Sequence, residues 1–247
     1  EDHSQFIEGP FSSPQEVTET CLLCHDGIDK NIMKTRHWNW LGSNIADTVQ
    51  GVVSRGKKNL INNFCIAIPS NWPRCTSCHI SYGWKDDTFD FSSTENIDCL
   101  VCHDNTESYV KGNELAGLPD PGLDLNNIAQ HVGKPKRSNC GVCHFFGGGG
   151  NNVKHGDLEM SMFEPSKDID IHMASEGMNL QCVDCHVTEQ HNISGKVYSL
   201  SSMNLNRNTC EQCHSETPHT ENILNEHTLK VSCQTCHIPF MAVKEGT

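Results

Sequence analysis

Seven copies of one five-residue pattern, Cys-x-x-Cys-His, constrain this chain more than any other feature. They are Cys21-Leu-Leu-Cys24-His25, Cys75-Thr-Ser-Cys78-His79, Cys99-Leu-Val-Cys102-His103, Cys140-Gly-Val-Cys143-His144, Cys182-Val-Asp-Cys185-His186, Cys210-Glu-Gln-Cys213-His214 and Cys233-Gln-Thr-Cys236-His237. Together they use all but one of the 15 cysteines. Random placement of 15 cysteines and 15 histidines in 247 residues would give about 0.06 such motifs. The motifs start 54, 24, 41, 42, 28 and 23 residues apart. That spacing is too uneven for a solenoid of fixed period and suits sites threaded along one continuous chain.

The pattern is that of covalent haem attachment. Two thiols add to the two vinyl groups of one porphyrin, and two intervening residues on about one helical turn place both sulfurs at one ring edge. The histidine that follows then reaches the iron as proximal ligand. A zinc site would pair a Cys-x-x-Cys with distant ligands and gives no reason for a histidine after every pair. A redox dithiol would occur once, and a disulfide framework would not impose one spacing. The expected cofactor is therefore seven haem c, with thioethers from the fourteen motif cysteines. The proximal ligands would be His25, His79, His103, His144, His186, His214 and His237.

Eight histidines lie outside the motifs: His3, His37, His131, His155, His172, His191, His219 and His227. Their number nearly matches the irons needing a sixth ligand, so His37, His131, His155, His172, His191, His219 and His227 are distal candidates. His3 is the weakest, because termini fray. A bis-histidine iron is closed to substrate and suited to electron transfer. An iron that does chemistry needs an open position.

Composition agrees with this reading. The hydrophobic fraction is 36% and the aromatic fraction 6%, against about 45–50% apolar in an ordinary globule. Large flat cofactors would supply the missing core. Lys+Arg is 18 against Asp+Glu 31, a formal charge of −13, and two propionates per haem would add to it. Such a surface disfavours nucleic acid and anionic lipid. No stretch reaches the roughly 18–20 apolar residues of a membrane span. The sequence opens at Glu1 without Met or an apolar leader. The expectation is an exported chain, periplasmic or extracellular, with its signal peptide removed.

Local patterning predicts a mainly α fold with much irregular loop: a multihaem cytochrome c fold of short helices wrapped round stacked haems, as one domain over 1–247. Ser13-Pro14-Gln15-Glu16 reads as a capping box with Pro at the first helical position, opening a helix that runs into Cys21–His25. Asp124–His131 reads as a second short helix and Asn222–Cys236 as a third. Asp168–Met173 alternates apolar and polar residues and is expected as a brief strand. Gly147–Gly150 is either a flexible linker or backbone lying close to a flat cofactor.

Several strings resemble the octahaem tetrathionate reductase family. They are Thr35-Arg-His-Trp-Asn-Trp40, Phe64-Cys65, Asn71 to His79, Asp98-Cys-Leu-Val-Cys-His-Asp104, Gly141 to Gly150, Val153-Lys-His-Gly-Asp157 and Ser232 to Pro239. The resemblance covers residues 16 to 240. It implies a periplasmic multihaem enzyme related to hydroxylamine-oxidising and nitrite-reducing cytochromes, whose active haem carries a lysine ligand from outside its motif. Here that lysine matches Lys154, the active haem would be the one on Cys75 and Cys78, and Cys65 matches a pocket cysteine. Read alone, Lys154 is a solvated surface residue, Cys65 is either inert packing or faces substrate, and His155 could serve a neighbouring iron. A lysine that ligates iron must be deprotonated, which needs burial.

The sequence departs from the family in two ways. The resemblance implies eight haems and a longer C-terminal region, whereas these 247 residues hold seven motifs. The family also has an acidic residue three positions before the lysine, where this sequence has Asn151. An amide neither gives nor takes a proton as a carboxylate does.

Two functions are expected to compete. One is a reductase of small sulfur or nitrogen oxyanions (the tetrathionate, nitrite and hydroxylamine class). Lys154, Cys65 and Asn151 would act at the second haem, fed by partner cytochromes or quinol-linked donors. The other is a non-catalytic electron conduit, which could assemble as a homo-oligomer or extracellular filament.

Overall fold

The computed structural model describes residues 2–42, 44–49, 51–54, 56, 58, 68–147, 151, 158–195 and 208–237. Its described helices are short, none longer than nine residues: α1 (Pro14–Leu22), α2 (Ile28–Ile32), α3 (Trp72–Cys75), α4 (Leu100–His103), α5 (Leu125–Gln130), α6 (Arg137–His144), α7 (Cys182–Cys185), α8 (Asn222–Thr228) and α9 (Cys233–His237). Tight 3-10 turns continue the pattern at Thr76–Cys78 and Cys210–Gln212. None of these helices is long and apolar enough to cross a membrane. One antiparallel hairpin, β1 (Asn44–Asp47) with β2 (Gly51–Ser54), sits between α2 and α3; nothing in the sequence reading anticipated it.

The chain forms two compact units. The first comprises residues 1–143 with the short excursion Thr188–Asn192; the second comprises 144–187 and 193–247.

The first unit has a protein core. Val17 of α1, Leu100 and Val101 of α4, and Ile128 and Ala129 of α5 bury together with Ile7 and Tyr109. Beside them Ile32, Trp38 and Ile97 form a second nucleus, extended by aromatic rings. Trp38 meets Phe91 edge-on at 6.1 Å, and Trp84 stacks on Phe89 at 5.5 Å. Trp84 also meets Trp40 edge-on at 4.9 Å. Aromatic pairs of this geometry add about 0.5–1.5 kcal/mol beyond their buried area.

Local signals explain the helix ends. Ser13 caps α1 by accepting from the Glu16 N–H at 3.3 Å. The reciprocal arm of the capping box is displaced by one residue, because the Glu16 carboxylate takes the Ser12 N–H at 2.7 Å and the Ser12 hydroxyl. α1 ends at Leu22, so Cys24 and His25 lie in the turn beyond it. Asp124 caps α5 through the Asn127 N–H at 3.0 Å.

Two expectations fail. Asn222–Cys236 is not one helix: α8 ends at Thr228, where the His227 carbonyl takes both the Lys230 and Val231 N–H groups, and α9 starts afresh at Cys233. Asp168–Met173 is turn rather than strand. The Asp170 carboxylate accepts from His172 N and Met173 N, each at 2.9 Å. That local bonding outcompetes an extended ladder.

Candidate haem centres

Each motif is wound as close to one helical turn. In the first, third, fifth and sixth, the histidine N–H bonds the carbonyl of the first cysteine, at 3.0, 3.2, 2.8 and 2.9 Å. This closure puts both cysteine side chains on one face, as attachment to one ring edge requires. The second motif is wound tighter. Its His79 N–H bonds Thr76 O at 2.9 Å, and His79 itself is extended, with φ −82° and ψ 153°.

Second-sphere bonds orient several imidazoles. Nδ1 of His103 lies 2.8 Å from Gly133 O, Nδ1 of His186 2.8 Å from Ser194 O, and Nδ1 of His79 3.2 Å from His37 O. A ring that donates Nδ1–H to a carbonyl presents the bare Nε2 to a metal. His131 is held the same way, by Asn127 O at 2.8 Å.

Three motif histidines face a second imidazole from elsewhere in the chain. His103 and His191 have ring centroids 6.2 Å apart. His172 and His214 are 6.1 Å apart, and His219 and His237 5.7 Å, with their Nε2 atoms 3.4 Å from each other. Two rings on opposite sides of one iron, each with an Fe–N bond of about 2.0 Å by analogy with other imidazole–metal bonds, would be separated by nearly this distance. The donor set and its spacing therefore fit haem. Burial and the nearby His103 and His25 charges hold the His191 pKa below its ordinary value, which favours the neutral ligand form. Among the described residues no three His, Cys, Asp or Glu side chains converge as a metal cluster.

The fold also brings motifs together in pairs within each unit. In the first unit the Cys21 and Cys99 side chains hydrogen-bond, as do Cys78 and Cys143. In the second, Cys210 bonds Cys233, and Cys185 lies within electrostatic reach of Cys213. Burial pushes the Cys102 thiol up to about 11, and the Cys78 contact together with burial pushes Cys143 up as well.

Residues 20–104 and 139–215 match the model of the family described as cytochrome c554 and c-prime. The chain belongs to this family. It is a multihaem c-type cytochrome, and haem c is its electron-carrying cofactor. It is similar to an octaheme cytochrome c from Shewanella oneidensis, with 51% identity, a TM-score of 0.84 and coverage of 97% of this chain. The match takes in 53% of the octaheme chain, so the sequence spans about half that cytochrome's length. An uncharacterized protein of Archaeoglobus fulgidus is 23% identical over 77% of this chain and 79% of its own length.

The other predicted residues of this cytochrome divide as follows. Cys65, Lys154 and His155 lie outside the described residues, as does most of Gly147–Gly150. Asn151 is half-buried, and its Oδ1 accepts from Met160 N at 3.3 Å. His37 contributes its carbonyl beneath His79 and takes the Ile80 N–H at 3.1 Å. His227 is exposed on α8; His25 and His144 are exposed at their motifs.

Sequence reasoning missed the surroundings of His79. Trp84 is fully buried and meets the His79 ring edge-on at 4.7 Å. It also missed a buried polar group around Asp98. The only signal was that Asp98 directly precedes Cys99.

Proposed function

We propose that each of the seven motifs holds one haem c through its two cysteines, within a single multihaem domain, and that His103/His191, His214/His172 and His237/His219 are closed bis-histidine ligand pairs. The observation that carries this is the pairing itself. Three histidines outside the motifs each stand opposite a motif histidine at a ligand-pair separation. When bound, haem supplies a one-electron couple whose potential follows axial ligands, burial and nearby charge. The residues described above hold the ring edges, orient the imidazoles and bring pairs of motifs close.

The second motif is the proposed catalytic site, reducing a small sulfur or nitrogen oxyanion, with Lys154 as iron ligand and Cys65 and Asn151 lining the pocket. Support comes from the likeness to the octaheme cytochrome and from the motif's own geometry. Its His79 is extended and meets Trp84, which packs with Trp40 and Trp72. Partner cytochromes or quinol-linked donors would supply electrons, in an exported location. Covalent attachment suits that setting, because a thioether-bound haem is not lost by dilution.

The three closed pairs favour the second reading, an electron conduit, assembled or not into oligomers or filaments. Electron paramagnetic resonance of the holoprotein with and without nitrite separates the two. A high-spin or lysine-ligated signal that responds to nitrite supports the reductase, whereas seven low-spin irons indifferent to nitrite leave only the conduit.

A further inference from the structure

We propose that the buried Lys111–Asp98 pair is a fixed dipole between haem sites, with its positive end on the second motif and its negative end on the third, and that it draws electrons from the third site towards the second. This rests on the attachment reading above.

The geometry is explicit. Lys111 Nζ lies 3.3 Å from Asp98 Oδ2, with side-chain exposures of 9% and 0%. On its far side the ammonium donates to the carbonyl of His79 at 2.5 Å. Asp98 faces the other way. It directly precedes Cys99 of the third motif in sequence. Three further donors hold the carboxylate in place: Tyr82 Oη at 3.1 Å and Val101 N at 3.0 Å on Oδ1, and Tyr109 Oη at 2.9 Å on Oδ2. All these groups belong to the first unit.

The loop that delivers Lys111 is strained. Glu114, Ala116 and Gly117 have φ of 58°, 53° and 87°, and a Cβ on Gly117 would sit 2.1 Å from Ser81 O and 3.4 Å from Lys111 Nζ. Ala116 ties the loop to the helix leading into the second motif, donating to Pro73 O at 3.2 Å and accepting from Trp84 N at 3.0 Å. Such strain persists where the surroundings over-determine it, and it clusters at functional sites. A buried ion pair adds little net stability over an apolar replacement, so packing alone does not account for this one.

The electrostatics have a definite sign. Reducing an iron adds one electron and removes one positive charge. A nearby ammonium therefore favours the reduced state and a nearby carboxylate opposes it, and both act more strongly in a low-dielectric interior. The dipole raises the second site relative to the third.

The test is a spectroelectrochemical titration of holoprotein variants whose haem count is checked by mass. Lys111→Met should lower the potential of one component, shifting its reduced-to-oxidised ratio at a fixed potential about tenfold, which is ~59 mV for one electron. Lys111→Arg should keep the wild-type values. Asp98→Asn should raise another, so both neutralising variants narrow the spread between these two. Tyr109→Phe, which keeps the fold's shape while exposing more of the carboxylate's charge, should widen it. A fully loaded Lys111→Met or Tyr109→Phe protein with an unchanged spread overturns the dipole and leaves the attachment reading standing. Wild-type protein lacking haem at the second or third motif overturns the attachment reading and this inference with it.

Discussion

The two units organise their ligands by different means. The first buries Trp38, Tyr82, Trp84, Ile97, Leu100 and Ile128 almost completely. Its motif helices α4 and α6 are bonded into that framework, for example through Asn139, whose Nδ2 donates to Asp104 O at 3.0 Å. Among its described residues the second buries little besides Phe145, Met162, Ala174 and Glu159, and it exposes Ile171, Met178, Ile223 and Leu229 by 55, 68, 63 and 82%. Its order is carried by turns and by the imidazole pairs His172/His214 and His219/His237. Packed side chains dominate the described order of the first unit, whereas turns and imidazole pairs dominate that of the second. The excursion Thr188–Asn192 fits this contrast, since it belongs to the first unit and carries His191 opposite His103.

The largest expected effect tests that contrast directly. In a chain with every motif cysteine changed to serine, limited proteolysis should cut residues 158–187 and 208–237 first, while fragments within 2–143 persist. Equal digestion of both units would erase the distinction. Next, Trp38→Ala should cost the first unit about 3–5 kcal/mol, as large core deletions do. It should leave the low-spin signature of the His172/His214 pair intact; loss of both together would mean that one core serves the whole chain.

His172→Ala sharpens the comparison from the other side. It should convert one iron from low spin to high spin in the holoprotein with little change at the first unit's sites. An unchanged spin count would remove His172 from the ligand set. Ser13→Ala, which strips the α1 cap, should cost about 1 kcal/mol, read from the thermal midpoint. The smallest effect is at Glu16, whose carboxyl the Ser12 hydroxyl and N–H hold below its ordinary 4.5. Its folded pKa is depressed, so its contribution is present above that value and fades as pH falls through the lowered one. Glu16→Gln should flatten that part of the acid limb, and an identical acid profile would show the contact to be idle.

Much of this molecule was readable from residue order. The motif spacing marked out helical turns, and those turns are there at Cys21, Cys99, Cys182 and Cys210. Ser13 and Asp124 marked helix starts, because capping depends on neighbours only three residues away. Asn222–Cys236 and Asp168–Met173 misled, because periodicity ignored the local bonds of the His227 carbonyl and the Asp170 carboxylate. Distal ligation was legible only as a count. A histidine outside a motif carries no mark of the iron it faces, and pairing His191 with His103 spans 87 residues of intervening chain.

The sequence by itself determined the cofactor chemistry, because covalent attachment needs two thiols and an imidazole within one turn, a requirement written entirely in local order. Only the tertiary structure decided which imidazoles oppose each other, which motifs touch, and that Lys111 and Asp98 lie buried between them. Those relations depend on loop closures and burial across distant segments. Sequence alone would have left Lys111 in solvent, where its charge would be screened to insignificance.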